Sequence, residues 1–176
     1  VELVVRGAEK VALVGANGSG KTTLLRLIAS ELLARSDMRA GYMPQNYEDE
    51  LGAAAALPPV EYLVPSGDRE MRQRALDHLG SMRYTHLEMT RPVAELSGGQ
   101  KAKLLILRMI LEGWNVLVLD EPTRNFSPLS APVIREILAA YGGAVIAVSH
   151  DRQFLAEVPD VVYELTAEGL ELYEGV

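Results

Sequence analysis

The sequence predicts an α/β fold built on a mostly parallel sheet, and three observations carry the prediction. Residues 11–14, 116–119 and 144–148 are short, unbroken apolar runs, the pattern of strands buried on both faces. Segments of helical period lie between them, so strands and helices alternate along the chain. The stretch from about Asn46 to Pro92 holds no such run and reads as a helical subdomain inserted into the sheet.

The elements follow in order. Residues 11–14 end at Gly15 and form the first strand. A helix starts at about Gly20, with Leu24, Ile28 and Leu32 at i, i+4 and i+8. Residues 41–44 form a short strand or its edge. Residues 49–67, rich in Gly, Ala and Pro, read as irregular or partly helical. Residues 69–82 form an amphipathic helix, with Arg72, Ala75, Leu76 and Leu79 at helical spacing. Residues 98–111 form another, apolar at Leu104, Leu107 and Leu111. Residues 116–119 are a strand leading into two acids. Residues 133–141 are helical, 144–148 are a buried strand, and Asp151 caps a short helix ending near Val158. Residues 161–165 and 170–173 flank Ala167, Glu168 and Gly169 as a terminal hairpin.

The bulk properties narrow the function classes. A chain of 176 residues, 48% hydrophobic and 23% charged, suits one domain with a real core and not wholesale disorder. It has no cysteine, which excludes disulfides, zinc-thiolate sites and thiol nucleophiles. No apolar run approaches the roughly 18–20 residues that span a bilayer, and residues 1–5 show no signal pattern. The expected address is the cytoplasm, with no direct membrane insertion. A net charge of −7 argues against nucleic acid gripped by this domain itself.

The chemistry concentrates in a few segments. Gly15-Ala16-Asn17-Gly18-Ser19-Gly20-Lys21-Thr22 matches G-x-x-x-x-G-K-[ST]. Its glycines let backbone N–H groups converge on phosphate oxygens, and the following helix adds its positive dipole end. Lys21 suits the β- and γ-phosphates, the hydroxyl of Thr22 suits Mg²⁺, and Thr23 extends the cradle. A chance glycine-rich turn is the bland alternative, but a strand precedes and a helix follows, as phosphate binding requires. The fold class is thus that of a P-loop NTPase, and the cofactors implied are ATP and Mg²⁺. The strand at 116–119 runs into Asp120, suited to the Mg²⁺ shell, and Glu121, suited to polarising a water as general base. Leu96-Ser97-Gly98-Gly99-Gln100 is a second anion site at a helix N-terminus. One nucleotide does not need two such sites from one chain, so the second reads as a grip on the γ-phosphate of an ATP bound to another copy. A plain serine N-cap is its structural alternative.

With these motifs in hand, the chain resembles the ATP-binding-cassette family over nearly its whole length. The Gly15–Thr22 loop, the 96–100 signature, the Asp120-Glu121 pair and Ser149-His150-Asp151 stand in the family's order. The resemblance implies that Gln45, after Tyr42-Met43-Pro44, senses Mg²⁺ and nucleotide. It implies that His150 contacts the γ-phosphate and the attacking water. His78 and His86 match nothing in the family and read as structural. Two departures point to a subfamily. Gln45 follows Lys21 by only 24 positions, short for a transporter cassette, where strands of an antiparallel β-subdomain would stand; that subdomain is expected to be reduced or missing. The run Glu121-Pro122-Thr123-Arg124-Asn125-Phe126-Ser127-Pro128 has serine where an aspartate is commoner. Both features, with Lys101 and Lys103, are similar to the second cassette of ABC-F proteins, especially ribosome-protection factors of antibiotic resistance. No aromatic residue precedes Tyr42, so the usual adenine platform is expected to be absent and the chain reads as part of a two-cassette protein.

The resemblance implies an ATPase whose partner is a second cassette, in the same parent chain or as a homodimer. A ribosome would be reached through segments outside this chain. Two other readings stand beside it. One is the ATPase subunit of a membrane transporter, docking on its partner through the helical subdomain. The other is a non-hydrolytic module that holds nucleotide weakly and mainly dimerises; Glu121 and His150 argue against it. The expected layout is a core over residues 1–45 and 93–176 with the helical subdomain at about 46–92.

Overall fold

The apolar runs form strands whose side chains alternate between two cores. In a computed structural model describing residues 3–45, 49–124, 126, 128, 131–173 and 175, β1 spans Lys10–Val14, β2 Ala40–Met43, β3 Val116–Asp120 and β4 Ala144–Val148. β5 spans Val161–Leu165 and β6 Leu170–Leu172. They make one sheet in the order β2-β3-β4-β1-β5-β6, parallel throughout except for the antiparallel β5–β6 pair. Leu117, Leu119, Val145 and Ala147 enter one core, while Val116, Val118, Ala144, Ile146 and Val148 enter the other. A period of two places every second residue on each face, so strands covered on both faces must be apolar throughout.

Helix α1, Lys21–Leu33, covers one face. The expected stripe of Leu24, Ile28 and Leu32 flanks the contact; its centre is Lys21, Leu25 and Ala29, all buried. The helix is rotated by one residue because Lys21 turns inward to bond the loop before it. Helices α5 (Gly98–Leu111), α6 (Ala131–Ala139) and α7 (Arg152–Glu157) belong to the other side. α6 ends before Tyr141, expected to be its last residue; the Tyr141 hydroxyl instead donates to the carbonyl of Trp114. Arg135 of α6, buried, is neutralised by Glu157 of α7 at 2.7 Å.

Residues 49–67 are a 3₁₀ helix at Asp49–Ala54 followed by α2, Pro59–Leu63. α3 is Arg69–Ser81, capped by Asp68 accepting from the Met71 N–H at 2.8 Å, and α4 is His86–Thr90. α5 is buried along its middle on almost every side, from Ala102 to Leu107, because it lies between the sheet and the helical layer. Sheet, α5 and the helices between residues 49 and 90 share one hydrophobic cluster, from Met43 and Leu119 to Val60, Ala75 and Leu79.

The C-terminal hairpin forms as expected, but β5 also pairs in parallel with β1, making it a full member of the sheet. Among the described residues no strand lies outside this sheet, in line with a reduced antiparallel subdomain. Among the described residues no helix is long and apolar enough to cross a membrane.

Candidate functional site

Strand register assembles the site. Leu13 is level with Val148, and Val148 with Asp120, so β1, β3 and β4 end on one line. The loops leaving those ends carry residues 15–20, Glu121 and His150. β2, also parallel, ends at Met43, two residues before Gln45. Crevices at the carboxyl ends of parallel strands are the usual ligand sites of such sheets.

The cleft there has a volume of about 660 Å³, within the range of small-molecule sites. Asn17, Gly18, Gly20, Lys21, Thr22 and Thr23 line one wall; Gln45, Asp120, Glu121 and His150 line others, with Val148 and Arg124. Gly15 and Ser19 shape the loop from behind. Gly15 has φ +143, and a Cβ there would stand 2.8 Å from the Leu165 carbonyl of β5, so only glycine lets the loop lie on the sheet. Lys21 is 7% exposed and donates from Nζ to the Gly15 and Ala16 carbonyls at 2.9 and 2.7 Å. The ammonium is thus anchored at the cleft wall with a third donor left over.

The acids are set up differently. Asp120 is 2% exposed, and its Oδ2 is buried without a hydrogen-bond partner. A buried carboxylate oxygen with no donor is costly unless something cationic or hydrogen-bonding meets it. Ser19 Oγ in the loop is orphaned in the same way. Glu121 has φ +52, a left-handed conformation that non-glycine residues adopt at a cost of the order of 1–3 kcal/mol and that clusters at functional sites. Burial pushes the Glu121 carboxyl above the ordinary carboxylate range, and Asp120 adds to the rise. The His150 N–H, the His150 imidazole and Arg124 act in the opposite direction. The His150 backbone N–H donates to Glu121 Oε2 at 3.3 Å, and His150 Nε2 lies 3.7 Å from Oε1. His150 is about half exposed, so its ring stands at the mouth.

The residues present fit a magnesium nucleotide. Among the described residues no cluster of three or more His, Cys, Asp or Glu could hold a metal by itself. Mg²⁺ is commonly bound through one or two carboxylates with phosphates and waters completing the shell. Asp120, Thr22 and Gln45 could supply that protein share.

The signature lies elsewhere. Ser97, Gly98, Gly99 and Gln100 do not line the cleft. Ser97 is the N-cap of α5; its hydroxyl accepts from the Gln100 N–H at 3.3 Å, and Gln100 Oε1 accepts from the Ser97 N–H at 2.8 Å. Ser97 and Gly98 are both exposed at this helix start. Sequence reasoning missed two contributors to the site. Arg124 lines the cleft, and its place three residues after Glu121, in the run singled out as unusual, was the available signal. Thr123 donates to Asp151 Oδ2 at 2.9 Å, tying the Glu121 loop to the His150 loop, and no pattern in the sequence marks that pair. Ser127 lies outside the described residues.

Comparison with known proteins agrees with this architecture. The model of the family described as ABC transporter matches residues 1–124. The probable ATP-binding protein YheS of Escherichia coli (strain K12) is 30% identical over 182 residues, covering 99% of this chain and 28% of YheS. The ribosome protection protein VmlR of Bacillus subtilis (strain 168) is 34% identical over 179 residues, covering 95% of this chain and 31% of VmlR. The chain therefore spans about a third or less of these relatives. Among solved structures, the dimeric post-hydrolysis state of the ATP-binding cassette MJ0796 bound to ADP and Pi superposes with a TM-score of 0.78 at 21% identity. That match covers 100% of this chain and 90% of that one. The resemblance read from the ordered motifs is borne out, relatives of the ABC-F kind included, and the chain belongs to the ABC transporter family.

Proposed function

We propose that this chain is an ATP-binding and ATP-hydrolysing cassette that works by closing against a second cassette, in an ABC-F type protein. The observation that carries the reading is the convergence of the Lys21 ammonium, the orphaned Asp120 carboxylate and the Glu121–His150 pair around one nucleotide-sized cleft.

Each residue has a role in that reaction. The 15–20 loop and the α1 N-terminus hold the phosphates with backbone N–H groups. Lys21 balances the β- and γ-phosphate charge. Thr22, Asp120 and Gln45 would hold Mg²⁺, which when bound neutralises charge on the β- and γ-oxygens. Glu121 accepts a proton from the water whose oxygen attacks the γ-phosphorus, while the bond from that phosphorus to the β–γ bridging oxygen breaks and the oxygen leaves on ADP with the electron pair. His150 orients that water and the γ-phosphate. Ser97 and the glycine amides of α5 act in trans, on the nucleotide of the facing cassette. Their position outside the chain's own cleft supports this division.

The test is Glu121→Gln. Binding of ATP is expected to persist while turnover falls by roughly 10²–10⁴-fold, the scale of a general base. Wild-type turnover in that variant removes Glu121 from the role. The same variant, in the full native polypeptide, traps the closed state for co-sedimentation with ribosomes. VmlR, a relative named as a ribosome protection protein, supports this finer reading. ATP-dependent pelleting is the expected result. Intact ATP binding without pelleting transfers the reading to the ATPase subunit of a membrane transporter.

A further inference from the structure

Gln100 does more than close the cap on Ser97. With Oε1 on the Ser97 N–H, its Nε2 donates at 2.5 Å to Oε1 of Glu88. Glu88 in turn closes a second capping box: its Oε2 accepts from the Thr85 N–H at 2.7 Å, and its own N–H donates to Thr85 Oγ1 at 3.3 Å. Two helix N-termini, those of α4 and α5, are thus joined head to head through one carboxylate and one amide. The backbone around them is pinned as well. The Tyr84 hydroxyl donates to the Gln100 carbonyl, and the buried Lys103 ammonium donates to the Met82 carbonyl at 3.1 Å. The Thr85 N–H does most to hold the Glu88 carboxyl below the ordinary carboxylate range; burial opposes it, and the Thr85 side chain, Gln100 and Arg91 add smaller effects in the lowering direction.

The arrangement has a direct consequence for the first turn of α5. A glutamine side chain is long and flexible, and ordering one costs up to about 2 kcal/mol of rotamer freedom. A charge-assisted hydrogen bond to a rigidly capped carboxylate meets that cost. The Ser97 hydroxyl and the Gly98 and Gly99 amides then keep one orientation whether or not a partner is present.

We infer that Glu88 is a positioning residue for cassette pairing, acting through Gln100 to hold the Ser97-Gly98-Gly99 turn in the shape that meets a nucleotide on the facing cassette. This rests on the proposed trans role of Ser97. It assigns to the α4 helix a share in pairing that no motif of the chain suggests, and it makes the Gln100 side chain an internal strut.

The experiment is a charge swap in the full native polypeptide carrying Glu121→Gln, which holds ATP without turnover. Gln100→Glu sets two carboxylates against each other, while Glu88→Gln with Gln100→Glu restores an amide–carboxylate bond with its direction reversed. Gln100→Glu is expected to weaken ATP-dependent pairing by about tenfold or more, the scale of a lost hydrogen bond to a charged group. ATP affinity at the Lys21 cleft is expected to stay unchanged, and the double variant to recover pairing. A double variant as weak as Gln100→Glu overturns the proposal, because Gln100 would then act by its own contact with the facing nucleotide. Amide hydrogen exchange at residues 97–100, measured without ATP, gives an independent arm: faster exchange in Gln100→Glu and recovery in the swap. Unchanged exchange also overturns the proposal. If the Glu121→Gln background itself fails to pair with ATP, the pairing function fails, and the exchange arm still decides the strut.

Discussion

At the residue scale the cleft is built from groups held in unfavourable states. Lys21 is buried on carbonyls, Asp120 keeps a bare oxygen, and Glu121 sits at φ +52 with its carboxyl raised by burial. Lys21→Ala is expected to weaken nucleotide binding itself, read by equilibrium titration with ATP, because it removes the only buried ammonium lining the cleft among the described residues. The raised Glu121 value has a sign that can be checked twice. As general base Glu121 must be ionised, so turnover should rise with pH through an apparent value above the ordinary carboxylate range. For stability the folded state keeps this proton to higher pH than the unfolded chain does. Its contribution is therefore full at low pH and is lost as pH rises through the folded value. Glu121→Gln should accordingly melt higher than wild type at neutral pH, and the gap should close on acidification. A gap that widens toward acid would mean the carboxylate is stabilised by its neighbours in the folded state.

At the element scale, close approach decides more than periodicity does. Gly41 in β2 lies under the Trp114 ring, and a Cβ there would stand 1.6 Å from two ring atoms. Trp114 stands three residues after the end of α5, so this contact helps fix how the signature helix docks on the sheet edge. Gly41→Ala is expected to destabilise the domain by about 1–3 kcal/mol, the usual cost of overpacking, measured by urea denaturation. Adding Trp114→Leu should recover part of that loss, whereas an additive double variant would show that the two sites do not clash. Helix starts were more legible. Asp68, Thr85, Ser97 and Asp151 each cap a helix with their side chain, and all four are residue types that favour that position.

At the scale of the whole molecule, the chain gathers the phosphate-binding loop, the acids and His150 into a cleft, and the signature turn stands outside its lining. That division predicts concentration dependence: with a second cassette required, specific turnover should rise with the concentration of an isolated cassette. Ser97→Arg should leave ATP binding by the monomer intact and abolish ATP-dependent pairing, compared by titration and by light scattering. Equal losses in both assays would place Ser97 in its own chain's binding site.

Local patterns were enough for much of this. Continuous apolar runs, the G-x-x-x-x-G-K-T spacing and the Asp-Glu pair after a strand depend on residues near one another in the chain, and so does the prediction of an α/β P-loop fold with Asp120 and Glu121 beside Lys21. Contacts between distant segments left no such trace. The rotation of α1 onto Lys21, Leu25 and Ala29, the Thr123–Asp151 tie, Arg124 in the cleft and the Glu88–Gln100 strut arise only when the sheet register brings their elements together. A side chain's partner across the fold is chosen by packing and by the need to satisfy buried polar groups. Neither constraint is periodic in sequence.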